Sequence, residues 1–129
     1  MPILALGLAG CVYTVEEVFY AQNNATEALM WAMSNPDLTD EQLEKLAKIE
    51  EKLIIACQPV NHLAITSLEG KEVGVAEGME ANTAKNSCAR QIKKVEKLLW
   101  EIDPEVAAAY WECRGCALKS KMASANTSR

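Results

Sequence analysis

The sequence predicts an all-α protein, built as a four-helix bundle or as paired helical hairpins whose neighbours run antiparallel. Three observations carry this reading. Apolar residues recur at spacings of three and four along nearly the whole chain. No stretch alternates apolar with polar residues, and β-branched residues do not cluster as strands require. Proline and capping patterns then cut the chain into four amphipathic segments with short connections, which favours antiparallel packing. The 129 residues are 50% apolar and 24% charged, enough for one modest core and too few for two. Residues 1–129 are therefore read as a single helical domain, with an apolar segment at 1–11 and a polar tail at 123–129.

The first helix is expected over residues 12–34, where Val15, Val18, Phe19, Gln22, Ala25, Leu29 and Met33 fall on one face. Pro36 stops it by pushing Asn35 out of the helical region. The second helix opens at Thr39, whose partner in a capping box is Gln42, three residues on. Its stripe is Leu43, Leu46, Leu53 and Cys57. Pro59 is expected to interrupt it, leaving the following residues as a short helical continuation or a kinked extension.

Gly70, Gly74 and Gly78 stand four apart, which suits either a loop between helices or a seam of close helix packing. The third helix is marked by the row Cys88, Ile92, Val95, Leu99 and Ile102. Asp103 followed by Pro104 restarts the chain as a fourth helix, with a capping side chain before proline at the first helical position. Val106, Tyr110, Cys113 and Ala117 are expected on one face of it.

Composition narrows the function classes. The net charge is −5 with acidic residues spread along the chain, which disfavours a phosphate-backbone binder, and nucleic acid is not an expected partner. The five cysteines, at 11, 57, 88, 113 and 116, form an odd set scattered through helical sequence. They read as reduced, buried thiols in a cytoplasmic or intracellularly assembled protein. Cys113 and Cys116 are spaced for half a zinc site or a redox pair, but zinc wants four ligands. Only Cys57, Cys88 and the lone His62 remain to complete a set with that pair. No metal, cofactor or catalytic residue is expected, with Cys113, Cys116, Cys57 and His62 as the weak metal candidates. Glu-x-x-His pairs for a di-iron bundle do not occur. Arg90, Lys93, Lys94 and Lys97 form a basic strip on the third helix, read mainly as a solvated face.

The apolar start, ILALGLAGC, ends in Leu8-Ala9-Gly10-Cys11, which resembles the lipobox of bacterial lipoproteins. The resemblance implies cleavage before Cys11 and attachment of lipid to its sulfur. A secretory signal also wants a positively charged start, whereas no Lys or Arg precedes residue 45. Glu16 and Glu17 close the apolar window too early for a membrane span. The expectation is that residues 1–11 pack on the protein's own core or against a neighbouring subunit, with membrane contact as the alternative.

Aromatic residues complete the reading. The runs ALMWAM and AAAYW are wider than one helical stripe, so another chain is expected to cover part of them. Leu4, Leu6, Leu8, Trp31, Trp100, Tyr110 and Trp111 are the expected interface. The functional expectation is a non-enzymatic assembly or adaptor subunit that contacts itself or other protein subunits, as in a virion or another large particle. The alternatives are a membrane-surface lipoprotein through Cys11, and a thiol or metal module through Cys113 and Cys116.

Overall fold

The computed structural model describes residues 13–113, and they form four helices packed against one another: α1 (Val15–Met33), α2 (Asp40–Leu68), α3 (Val75–Ile102) and α4 (Pro104–Tyr110). The predicted helical bundle is what is found. Its centre is the α2–α3 hairpin, two helices of nearly equal length, each about 43 Å at 1.5 Å per residue. α1 lies antiparallel to α2, beginning level with its end, where Val15 and Phe19 share a groove with Leu63 and Leu68. At about 28 Å it runs out well before the start of α2. The short α4 folds back against the ends of α1 and α3.

Local sequence sets most boundaries. Thr14 caps α1 through a reciprocal box with Glu17, both bonds 3.0 Å, and Thr39 and Gln42 form the expected box on α2. The Thr14-x-x-Glu17 box sets the start of α1 at Val15, three residues after the expected position. Asp103 accepts a hydrogen bond from the Val106 amide ahead of Pro104, as expected. At the end of α2, Gly70 takes φ +75°; its N–H donates to the Ser67 carbonyl and that of Lys71 to Thr66. This is a Schellman stop, and glycine is what the left-handed position requires. A methyl group added at Gly78 would meet nothing within 4 Å, so no packing seam forms there: Gly70 lies in the turn, Gly74 caps α3, and Gly78 stands inside the helix without a close neighbour.

Three expectations about the elements are corrected. Pro59 does not interrupt α2; the residues beyond it extend the same helix to Leu68, the alternative that the sequence left open. Val60 beyond it is fully buried, so packing of the second half against α1 and α3 outweighs the lost backbone hydrogen bond. Leu43 leaves the stripe: it lies on the first turn of α2, beyond the reach of α1, and is 41% exposed. α4 ends at Tyr110, with Trp111 extended, so Cys113 follows the helix instead of continuing its face. Ala117 lies outside the described residues.

The core is formed by the predicted stripes with one addition. Val18, Ala25 and Leu29 from α1 meet Leu46, Leu53 and Cys57 from α2 and Cys88, Ile92, Val95 and Leu99 from α3, all of them fully buried. Ala21, Ala28 and Ala32 extend the buried face of α1, and their small side chains let it lie close to the hairpin. The addition is Trp111, 1% exposed, which joins this cluster from beyond α4. Each large aliphatic side chain buried here stabilises the fold by about 1.5–3 kcal/mol relative to exposure.

Candidate functional site

The cysteines come first, because the structure changes their chemistry. Cys57 and Cys88, both fully buried, form a disulfide across the α2–α3 hairpin. Their Cα atoms are 4.7 Å apart. Adding the Cα radius of each helix gives an interaxial distance of at most about 9 Å, so the bridge fits ordinary helix packing. Each cysteine lies 11 to 13 residues from the connecting turn, so the two sulfurs come level when the hairpin closes. Cys113 is also disulfide-bonded. The expectation of reduced thiols is therefore overturned for these three residues, and Cys57 and Cys88 are withdrawn from any metal site.

His62 is not near a thiol ligand set. Its Nε2 lies 3.1 Å from Oε2 of Glu77, an exposed contact that ties α2 to the start of α3. Among the described residues, no group of three His, Cys, Asp or Glu side chains is placed to hold a metal ion. Cys116 lies outside the described residues, as do Leu4, Leu6, Leu8 and Cys11.

The expected interface residues within 13–113 divide by environment. Trp31 is 61% exposed and so is its neighbour Met30, on the last turns of α1. Trp100 is half-buried, and its indole N–H donates to Oε2 of Glu96 at 3.2 Å. That bond explains how the otherwise buried carboxylate of Glu96 is accommodated inside the bundle. Tyr110 is half-buried as well. Trp111 is the correction: it is a core residue and not an interface residue. The wide run that suggested an interface is split by the end of α4, where the extended backbone at Trp111 turns its ring inward.

Trp31 and Tyr110 do converge. With Glu105, Val106 and Ala109 they line an open groove of about 450 Å³ between α1 and α4. The Tyr110 hydroxyl is pushed up to about 12 by burial and by its hydrogen bond to the Glu27 carboxylate, whose negative charge adds to the shift. The phenol is thus held protonated as a donor to Glu27, and Tyr110 stands in the groove wall beside an exposed indole. No Lys or Arg occurs on α1 or α4.

A second groove, about 440 Å³, runs between α2 and α3 and has the opposite character: Lys45, Lys48, Lys52 and Lys94 surround a floor of Ile49 and Leu98. Lys45 and Lys48 are paired along the helix with Glu41 and Glu44. Periodicity alone did not show this site, because its lysines come from two helices and only α3 carried a recognisable strip. A third groove, lined by Val15, Phe19, Tyr20, Leu63 and Leu68, lies at the end of the bundle where the described chain begins. Among the described residues, no helix is long and apolar enough to cross a membrane. Comparison with protein-family profiles, with curated proteins and with solved structures gives no match.

Proposed function

We propose that the protein acts by contact and not by catalysis, as a helical assembly or adaptor subunit of a homo-oligomer or of a larger particle such as a virion. The observation that carries this is the pair Met30 and Trp31, each 61% exposed beside the Tyr110 groove. Tryptophan supplies large contact area at low entropic cost and is the usual anchor of interfaces, so an indole left in solvent at a groove edge favours a covering partner. Size-exclusion chromatography with light scattering over a range of concentrations tests it. Mass rising with concentration, and falling to one chain in Trp31→Ser, is the expected result. A wild-type monomer at every concentration, binding nothing, overturns it.

A second reading, attachment to a membrane surface through Cys11, is favoured by the disulfides. Bridges form and persist in oxidising compartments, which supports export in place of the cytoplasmic location expected from the sequence. Among the described residues Cys57, Cys88 and Cys113 are all held in disulfides, and lipid attachment requires that Cys11 stay outside such bridges. Intact mass from the native source separates the cases: loss of residues 1–10 with acyl chains gained on Cys11 for the lipoprotein, and a chain that keeps Cys11 unacylated otherwise. Thiol counting before and after reduction tests a redox role for Cys113 and Cys116; held in a disulfide, Cys113 is withdrawn as a metal ligand.

A further inference from the structure

We infer that the Trp31–Tyr110 groove takes up lysine side chains from the α2–α3 face of a second copy, so that copies associate head to tail through two different faces. The inference rests on the contact reading above and names the surface that the partner presents. The two grooves share no residue and no helix: one is built from α1 and α4, the other from α2 and α3. Both faces are therefore available on one molecule at once. Each borders apolar surface with charged side chains, Glu105 in one and Lys45, Lys48, Lys52 and Lys94 in the other.

Their charges are complementary. The first 44 residues hold seven carboxylates and no Lys or Arg, and Glu27 and Glu105 flank the exposed Trp31. Across the molecule, Lys52 and Lys94 border Ile49 and Leu98 and take part in no described ion pair, with Arg90 and Lys97 exposed on the same helix as Lys94. An ammonium placed over an indole face next to carboxylates gains from both, and the lysine stems would cover the ring while their heads reach Glu27 and Glu105. The chain's net charge of −5 opposes association at long range. That repulsion is screened within about 8 Å at physiological ionic strength, so local matching decides. A face meeting a different face does not close on itself in pairs; it propagates into a ring or an open filament.

Complementation tests this on the full, oxidised chain. Trp31→Ser with Glu105→Gln disables the acidic face; Lys52→Glu with Lys94→Glu disables the basic one. All four positions are exposed or on open groove walls, and circular dichroism checks that each variant keeps its helicity. If a double variant does not fold, the single changes Trp31→Ser and Lys94→Glu replace it. Each variant alone should lose self-association by about tenfold or more, the first because its aromatic anchor and a carboxylate are gone, the second because like charges then oppose each other across the contact. Mixed in equal amounts they should form a one-to-one dimer and nothing larger, since only one productive pair of faces remains.

A Lys52→Glu/Lys94→Glu protein that keeps the wild-type mass, a mixture that stays monomeric, or a wild type that stops at a dimer would each overturn the head-to-tail arrangement. In those cases loss of association in Trp31→Ser would leave the contact reading standing. A wild type that never associates removes both.

Discussion

Replacing Cys57 and Cys88 together by alanine should cost the fold about 3–5 kcal/mol. The disulfide closes a loop with a sequence separation of 31. The chain-entropy relation gives roughly 12 cal/mol/K for a loop of that length, or about 3.7 kcal/mol at 25 °C, as the constraint lifted from the unfolded state. Both residues are fully buried, so removing the sulfurs also takes contacts from the α2–α3 seam, and alanine avoids the unpaired hydroxyl that serine would bury. Against a total stability of about 5–15 kcal/mol for a domain of this kind, the loss is large.

Urea denaturation followed by circular dichroism in non-reducing buffer measures it. The midpoint should fall, the slope should rise because the uncrosslinked unfolded chain exposes more surface, and the melting temperature should drop by roughly 10–20 °C. The helices themselves should survive at low temperature, since their stripes remain. A loss below about 1 kcal/mol would refute the reasoning, for it would mean that the hairpin is closed in the unfolded ensemble or that the two cysteines are not joined in solution.

Four further outcomes follow from the same structure. Trp111→Ala should cost about 3–5 kcal/mol while Trp31→Ala changes stability by no more than about 0.5 kcal/mol, a contrast that chemical denaturation reads directly because one ring is in the core and the other in solvent. Pro59→Ala should stabilise the protein by about 1–3 kcal/mol, since α2 runs through this position and alanine restores a backbone donor; a loss of stability would show that the proline ring packs better than its backbone cost suggests. Thr39→Ala should cost about 1 kcal/mol through loss of the α2 cap. Tyr110 should titrate near 12 by ultraviolet absorbance, and Glu27→Gln should move it down toward 10. Because its folded value lies above the unfolded one, the contribution of Tyr110 to stability is whole below about pH 10 and disappears as pH rises from about 10 to about 12. A Tyr110 that titrates near 10 in the folded protein would contradict its burial beside Glu27.

The candidate surfaces were only partly legible in the sequence. Trp31 and Tyr110 stood out because each adds apolar width beyond one stripe, and the structure brings them into one groove. Trp111 carried the same signal and is buried, because its fate depends on where α4 stops. The lysine groove drew no notice as a unit, since Lys52 and Lys94 are 42 positions apart and meet only when the hairpin forms.

Local chemistry settled the number of helices, most of their ends and the residues facing inward: a capping threonine, an Asp-Pro pair and a three-four apolar spacing act within a few residues and need no distant partner. Packing decided what depended on neighbours far along the chain. The continuity of α2 through Pro59, the exposure of Leu43 and the inward turn of Trp111 all balance a local preference against burial that only the assembled bundle supplies. The pairing of Cys57 with Cys88 belongs to the same class: two sulfurs 31 residues apart become neighbours only when two long helices align in register.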